Sequence, residues 1–230
     1  MIDPFEVKRF PKIHPYRLLY TLRARGQEWL ARHQFEANAL PLIDPGTATG
    51  SPAYDAANTA VTPVQMEYLL QSLRSTEELG ETVVVEIGSY RGETTRLFAM
   101  CTNRTVIAVD PFIGYGGSSS DLEIFRERTR GLNVVHERKT SGQAVREWRR
   151  PSPGFVFIDA VHNYVNTAFD IAAWSALMKQ GGALALHDTD NRSFAGTRRA
   201  AKELCGTAEL MIHVEDLAVF RVQRAVGNRI

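Results

Sequence analysis

The stretch from Thr82 to Thr95, TVVVEIGSYRGETT, contains the residues whose types and spacing point most directly to chemistry. An apolar, β-branched run leads through an acidic residue, Glu86, into a loop that contains Gly88 and Gly92. Glycines let a backbone turn sharply and approach a ligand closely, and a helix that begins after them directs free N–H groups at that ligand. The pattern predicts a binding loop between a buried strand and a helix.

The charge and the glycine spacing of this loop restrict the ligand. The dinucleotide-binding fingerprint is G-x-G-x-x-G, whereas here an acid is followed by one residue, a glycine, three residues and a second glycine. The Glu86 carboxylate would repel a pyrophosphate unless it were protonated or neutralised. A ligand with a cationic centre therefore fits the loop better.

The segment from Glu86 to Thr94, EIGSYRGET, is similar to motif I of the class I S-adenosylmethionine-dependent methyltransferases. It resembles the catechol O-methyltransferase type in particular, whose loop has the same order of acidic, aromatic, glycine and hydroxyl residues. The resemblance extends from about Gln65 to Val222 and implies S-adenosylmethionine as the cofactor. The alternative is an ordinary glycine-rich turn from a strand to a helix.

The resemblance also implies roles for residues within the loop. Glu86 is expected to shape the pocket near the methionine part of the cofactor. The hydroxyl of Thr94 and the N–H groups beside Gly88 are expected to meet the methionine carboxylate. The cofactor-binding residues expected from the loop are Glu86, Gly88, Ser89, Tyr90, Gly92 and Thr94.

Other positions are expected to hold the rest of the cofactor. Asp110 ends the apolar run TVIAV, and a carboxylate at the end of a second strand can accept hydrogen bonds from ribose hydroxyls. Its alternative role is to cap the following turn. Phe112 and Tyr115 could lie against an adenine or an acceptor ring, or they could simply pack. Ser141 occupies the position that borders the adenine in the fold that the chain resembles, and Asp159 is also expected to border the cofactor.

The segment Asp159-Ala160-Val161-His162 resembles the catalytic segment of catechol O-methyltransferase-like enzymes. In those enzymes the fourth strand ends in a metal-binding Asp, and the base that removes the acceptor's hydroxyl proton follows three residues later. Here that residue is His162, where catechol O-methyltransferase has lysine, and related sugar and natural-product O-methyltransferases resemble this chain in that respect. An unperturbed histidine has a pKa of about 6.5, which suits general-base catalysis near neutrality. The alternative is a surface histidine in a loop.

Asp188 supplies a second carboxylate at the end of the predicted fifth strand. Two carboxylates from neighbouring strand ends are costly to keep close unless a cation lies between them, and Mg²⁺ prefers oxygen ligands. Asp159 and Asp188 are therefore the expected Mg²⁺ ligands. Family members generally supply a third ligand beside the fifth-strand acid, whereas this chain has His187-Asp188-Thr189. His187 could bind a softer metal, Thr189 could contribute its hydroxyl, or water could fill the position.

The arrangement of apolar runs predicts the fold. From residue 63 onward, strand-like runs alternate with helix-like segments, and the runs Leu210–Val214 and Leu217–Val222 follow one another at the end. This order predicts an α/β, doubly wound, mostly parallel seven-stranded sheet with helices on both faces and a C-terminal antiparallel hairpin. The predicted division is an N-terminal helical arm and lid over 1–62 and a Rossmann-like cofactor-binding domain over 63–230.

The first 62 residues match no motif. The prolines up to Pro15 predict an extended arm, and Pro41 to Thr62 is a long loop, either a lid over the cofactor or a mobile linker. Thr62 followed by Pro63 is typical of a helix start, and that helix should run to about Glu78. Helical periodicity from Tyr16 to Ala39 predicts a helix whose buried residues would be Leu18, Leu19, Leu22, Trp29, Leu30 and Phe35.

The composition is that of an ordinary globular protein. The 230 residues have a formal net charge of +1, with 44% hydrophobic and 23% charged residues. This balance does not call for nucleic acid or a membrane as a partner. Two cysteines without metal-ligand spacing, and no apolar run of signal-peptide or membrane length, favour a cytoplasmic location. The arginines that form local clusters are Arg146, Arg149, Arg150, Arg192, Arg198 and Arg199.

The N-terminal arm could serve a homodimer. The predicted function is methyl transfer from S-adenosylmethionine to a hydroxyl of a sugar or natural product. Such a displacement needs positioning and proton removal but no protein nucleophile. Two alternatives are a non-catalytic ligand-binding protein and a metal-site hydrolase or hydroxylase on the same scaffold. A nucleic-acid methyltransferase is less favoured, because the segment from Asp159 to His162 replaces the Asn/Asp-Pro-Pro-aromatic motif that amino-methylating enzymes often carry.

Overall fold

A computed structural model describes residues 2–47, 53–114 and 117–223, so Tyr115 and part of the predicted lid lie outside the described residues. The strands are β1 (Val83–Ile87), β2 (Val106–Val109), β3 (Val134–Glu137), β4 (Pro153–Ile158), β5 (Ala183–Leu186), β6 (Glu209–Val214) and β7 (Leu217–Arg221). The α-helices are α1 (Pro4–Val7), α2 (Pro15–His33), α3 (Pro63–Arg74), α4 (Glu93–Cys101), α5 (Ser119–Arg128), α6 (Ser141–Arg146), α7 (Tyr164–Ser175) and α8 (Ala195–Leu204). Short 3₁₀ turns cover Ala56–Asn58, Glu77–Leu79 and Arg192–Phe194.

The strands form one seven-stranded sheet in the order β3-β2-β1-β4-β5-β7-β6. The first five strands in this order are parallel, whereas β7 is antiparallel to both β5 and β6. The predicted doubly wound sheet with a closing hairpin is confirmed. Because the chain winds from β1 to one side and then returns to the other, a crevice opens at the carboxyl ends of β1 and β4.

The central strand β1 is buried along its whole length, which explains its apolar sequence. Val83, Val85 and Ile87 pack in a cluster with α7 and α8, and Val84 packs in a second cluster with α3 and α4 on the opposite face. Side chains alternate along a strand, so helices must cover both faces of β1. This double packing fixes the end of β1, where the glycine loop begins.

The N-terminal region differs from its prediction in two respects. Residues 4–7 form the short helix α1 rather than an extended segment, because Asp3 caps its start. The exposed fractions of Leu18, Leu19, Leu22 and Trp29 are 49%, 68%, 65% and 60%, so the prediction that they are buried was wrong. Helix α2 contacts α7 and α8 through another face, on which Ala31 is buried and Glu28 is half-buried. Phe35 is buried as predicted, although it lies just beyond the end of the helix.

The predicted start of α3 is confirmed in detail. The Thr62 side chain accepts a hydrogen bond from the Gln65 N–H, and the Gln65 side chain accepts one from the Thr62 N–H, which forms a capping box. The helix ends at Arg74, and the 3₁₀ turn Glu77–Leu79 follows. In the three described ranges, no helix has both the length and the apolar character that a membrane crossing requires.

Candidate active site

A cavity of about 870 Å³ lies at the carboxyl ends of the central strands. It has the size that small-molecule and cofactor sites usually have. Three predicted site residues, Gly92, His187 and Asp188, lie beside the cavity rather than on its wall. The predicted residues that line it are Glu86, Gly88, Ser89, Tyr90, Thr94, Asp110, Ser141, Asp159 and His162.

The two loop glycines are required by packing inside the protein. Gly88 has a φ of +85°, and a Cβ there would lie 2.0 Å from the carbonyl oxygen of Asp159. Gly92 has a φ of +78°, and a Cβ there would lie 2.7 Å from the ring of Phe125. The sequence argument explained these glycines by the approach of a ligand, but their close neighbours are protein atoms. Gly88 thereby allows the loop to lie directly against the end of β4.

Asp110 holds the glycine loop in place. One oxygen of its carboxylate accepts the N–H groups of Ser89 and Tyr90 at 3.0 and 3.2 Å, and the other accepts the N–H of Phe112 at 2.8 Å. The last of these bonds is the turn cap that was the alternative role for Asp110. Each carboxylate oxygen can accept more than one hydrogen bond, and Asp110 lines the cavity. Its geometry is therefore compatible with ribose binding as well, which stays a prediction.

Glu86 is a buried carboxyl group on the cavity wall. It is only 1% exposed, and it accepts a hydrogen bond from the hydroxyl of Thr95. Burial, helped by the negative charges of Asp159 and Asp110, raises the pKa of Glu86 to about 8 despite that hydrogen bond. Near neutral pH the group is therefore mostly protonated, and a cation beside it would favour the anionic form.

This pKa leads to a test with S-adenosylmethionine as the ligand. A cation beside Glu86 lowers its pKa from about 8, so binding at pH 7 should release about one proton, and affinity should rise with pH until the group is ionised in the free protein. Calorimetry in buffers of different ionisation enthalpy measures the proton count. Glu86→Gln, which keeps the shape of the protonated group, should bind without this release. Equal proton release by the variant would contradict the role of Glu86.

Residues 57–60 form another part of the cavity wall. The hydroxyl of Thr59 lies 3.1 Å from that of Thr94, the predicted ligand of the methionine carboxylate. Asp55, just before this segment, anchors it through two contacts. Its N–H donates to the buried carboxylate of Glu93 at 2.8 Å, and its carboxylate forms an ion pair with Arg128. Residues 57–60 thus lie beside the glycine loop, whereas Ile43 pairs with His213 of β6. The lid interpretation stays a prediction.

Ser141 lies at the start of α6, and its side chain is already engaged. Its hydroxyl donates to Asp170 at 2.5 Å and accepts from the indole N–H of Trp174 at 2.8 Å. The hydroxyl therefore has no donor left for an adenine and could only accept a hydrogen bond through its second lone pair. Burial raises the pKa of Asp170 to about 7, although the bond to Ser141 opposes the shift. Asp170 is a residue of the cavity wall that was not predicted, and its only signal in the sequence is that it is the one charged residue of α7.

The predicted catalytic residues meet at the ends of β4 and β5. His162 Nε2 lies 3.4 Å from Asp159 Oδ1 and 3.3 Å from Asp188 Oδ2. His187 Nδ1 lies 3.3 and 3.5 Å from the same two oxygens. The structure therefore brings together two carboxylates and two imidazoles from separate parts of the sequence. We call these four residues the Asp–His cluster.

The charges of the cluster compensate one another. Burial alone would lower the pKa of His187, but Asp159 and Asp188 outweigh it and raise the pKa to about 11. Burial would raise the pKa of Asp159, yet His187 and His162 together hold it well below its usual range. The pKa of Asp188 is lowered in the same way by the two histidines. In the absence of a metal ion, the His187 imidazolium thus provides the positive charge between the carboxylates.

Gln65 fixes the orientation of His187. The Gln65 amide nitrogen donates to Asp216, and the Gln65 amide oxygen accepts from the Thr62 N–H at 2.8 Å. These two bonds fix which end of the amide is the oxygen, and this oxygen lies 3.1 Å from His187 Nε2. His187 must therefore donate through Nε2. Its Nδ1 is buried, has no hydrogen bond of good geometry among the described residues, and points at the two carboxylates. After losing its proton, Nδ1 could bind a metal ion while Gln65 holds the other ring nitrogen, Nε2, in place.

The Asp–His cluster fits a divalent cation. Ligand atoms of Asp159, His162 and Asp188 lie within 4.8 Å of one another. The carboxylates are ligands that suit Mg²⁺, whereas imidazole nitrogens suit transition metals. Protons must leave the ligands when a metal binds, so ion binding here would be favoured at higher pH.

Comparisons with known proteins bear on the fold and on the segment that contains the site. Residues 85–189 match the sequence model of a family described as a methyltransferase domain. No curated protein shows significant sequence similarity to the chain. The O-methyltransferase NovP has 14% identity and a TM-score of 0.57 over 89% of this chain and 99% of its own.

Two further solved structures have the same fold. An O-methyltransferase from Bacillus cereus in complex with SAH has 16% identity and a TM-score of 0.54, over 85% of this chain and 90% of its own. TomG, an O-methyltransferase from Streptomyces achromogenes in complex with SAM, has 17% identity and a TM-score of 0.56, over 71% of this chain and 82% of its own. The segment that matches the family contains the glycine loop and the whole Asp–His cluster. Residues 85–189 are thus similar to a methyltransferase domain, and the chain shares its fold with these O-methyltransferases.

Proposed function

We propose that this protein is an S-adenosylmethionine-dependent O-methyltransferase that acts on a hydroxyl of a small molecule, with a sugar or a natural product as the favoured acceptor. The observation that carries this proposal is the position of His162, which lines the cofactor-sized cavity and belongs to the Asp–His cluster. His162 could then remove the proton of an acceptor that lies between the cluster and a methyl donor in the cavity.

The cofactor would lie along the cavity wall, with its methionine part at the glycine loop and its ribose at Asp110. Glu86 would face the cationic part of the cofactor, and Thr94 would contact the methionine carboxylate together with N–H groups near Gly88. Ser89, Tyr90 and Gly92 shape the same loop. The adenine would lie toward Ser141, and Asp159 would border the cofactor on the side of the Asp–His cluster.

Methyl transfer in this site is a single displacement. The acceptor oxygen forms a bond to the methyl carbon while the carbon–sulfur bond breaks, and sulfur keeps the bonding electron pair. His162 Nε2 takes the hydroxyl proton, and Asp159 and Asp188, at 3.4 and 3.3 Å, stabilise the resulting imidazolium. The remaining requirement is to hold oxygen, carbon and sulfur in line.

A divalent ion is proposed as a second cofactor, with Asp159, Asp188 and His187 Nδ1 as its protein ligands. Mg²⁺ is the first candidate because both carboxylates are hard oxygen ligands. When bound, the ion would polarise the acceptor hydroxyl and make its proton easier to remove.

Ion pairs within the described residues favour a small-molecule acceptor over a nucleic-acid substrate. The clustered arginines Arg146, Arg150, Arg198 and Arg199 each form an ion pair with an acidic residue of the same chain. Their charge is therefore largely neutralised and does not form a phosphate track. A cytoplasmic location and a homodimer through the N-terminal region stay predictions.

Incubation with methyl-labelled S-adenosylmethionine and a set of hydroxylated sugars and natural products tests the proposal. We expect label to appear on an acceptor oxygen, and a chelator to reduce the rate if the ion is bound. Calorimetry with S-adenosylhomocysteine gives a separate measure of cofactor binding. Tight cofactor binding without transfer to any acceptor would favour the non-catalytic alternative, and absence of cofactor binding would favour the hydrolase or hydroxylase alternative.

A further inference from the structure

The start of the chain forms part of the cavity wall, although no motif lies there. Phe5 of α1 lines the cavity together with Thr140, Ser141 and Asp170. Ser141 and Asp170 are hydrogen-bonded to each other, so they form one part of the cavity wall. Helix α1 contacts α7, which contains Asp170. Phe5 therefore belongs to the end of the cavity where the adenine is expected.

A buried carboxylate anchors this part of the chain. Asp3 is 5% exposed, and its oxygens accept the Phe5 N–H at 2.8 Å and an Arg146 N–H at 2.9 Å. Burying a carboxylate is costly unless it is paired and hydrogen-bonded, and here both conditions are met. Asp3 thus fixes the backbone of Phe5 and ties it to α6.

The contact between Asp3 and α6 is unusually close. A Cβ at Gly142 would lie 2.0 Å from Asp3 Oδ2, so only glycine permits this approach. Gly142 directly follows Ser141, the residue expected to border the adenine. Arg146 also binds Glu6 at 2.8 Å, which gives α1 a second link to the same helix. Asp3 and Glu6, which precede and follow Phe5 in the sequence, are therefore both attached to α6.

Phe5 is in a suitable position for its ring to cover the adenine of the cofactor. The ammonium of Lys8 lies 4.7 Å from the ring centroid, and Phe5 is a residue of the cavity wall. Aromatic side chains stack on nucleic-acid bases in a way that tolerates any flat heterocycle. We propose that Phe5 is a cofactor-binding residue that covers the adenine, and that Asp3 and Arg146 are the positioning residues that hold it there. This inference rests on the proposed cofactor.

Calorimetry with S-adenosylhomocysteine and with adenosine tests the proposal. Phe5→Ala should weaken both ligands by about 5- to 140-fold, which is the usual effect of losing one stack between a base and an aromatic ring. The matched control is Phe10→Ala, which removes a ring from the same segment that is 40% exposed and not on the cavity wall. We expect the control to bind both ligands like the wild type. Phe5→Trp should retain affinity because it restores a flat ring.

Further measurements separate base contact from folding. Thermal unfolding without ligand should give similar midpoints for the Phe5 and Phe10 variants, and Asp3→Asn should weaken S-adenosylhomocysteine by releasing the ring. Unchanged adenosine binding by Phe5→Ala, or a change confined to the KM of the acceptor, would overturn the inference. A wild-type protein that binds neither ligand would instead refute the proposed cofactor.

Discussion

Replacing His162 by alanine should lower the rate of methyl transfer by about 100- to 10,000-fold, which is the usual contribution of a general base. The affinity for S-adenosylhomocysteine should stay within about twofold, since His162 is expected to act on the acceptor proton rather than to bind the cofactor. Single-turnover rates with labelled cofactor measure the first quantity, and calorimetry measures the second. His162→Gln, which retains a polar side chain of comparable length, should be equally slow.

A surface histidine provides the control. His33, at the end of α2, is exposed, and His33→Ala should leave both the transfer rate and the cofactor affinity unchanged. Because His162 Nε2 lies near both carboxylates of the cluster, metal affinity should be measured in the His162 variants as well. A His162→Ala enzyme that turns over at the wild-type rate would show that another group accepts the proton.

Replacing Asp188 by asparagine should abolish binding of the divalent ion in the accessible concentration range. Even the partners of metal ligands contribute about 10- to 100-fold to metal affinity, and Asp188 is proposed as a ligand itself. Titration with Mn²⁺, followed by electron paramagnetic resonance of the free ion, measures the loss directly. Transfer activity should fall in parallel and should not be restored by excess Mg²⁺.

Asp110→Asn is the matched control, because it is the same substitution at the end of another strand of the same sheet. It should weaken S-adenosylhomocysteine by about tenfold or more, since hydrogen bonds to a charged group are involved, and leave Mn²⁺ binding unchanged. Asp188→Asn should show the opposite pattern. If Asp188→Asn binds Mn²⁺ as tightly as the wild type does, the cluster is not a metal site, and the His187 imidazolium alone balances its carboxylates.

Much of the site could be predicted from the sequence because it follows directly from strand ends. Parallel strands place their carboxyl ends at the same edge of a sheet. Once the apolar runs before Glu86, Asp110, Asp159 and Asp188 were identified as strands, these acids had to lie near one another. The glycines were correctly identified as special positions, although the neighbour of Gly88 proved to be the backbone of Asp159.

Other parts of the site could not be predicted because distant segments supply them without a periodic signal. Phe5 reaches the site from the N-terminal region, where no motif lies. Gln65 reaches it from the start of α3, where the capping box indicates a helix start but not a contact with His187. Asp170 is separated in sequence from Ser141, its partner. The predicted burial of Leu19 on α2 was wrong because periodicity shows that a helix has an apolar face but does not show which face packs on the protein.

A crystal structure with bound S-adenosylhomocysteine is the most direct test of the central claim, that one cavity presents a methyl donor to a base in the Asp–His cluster. We predict the ligand at the carboxyl end of β1, with its ribose at Asp110 and its sulfur toward His162. A ligand bound elsewhere, or Asp159 and Asp188 turned away from each other with no shared space between them, would contradict the account.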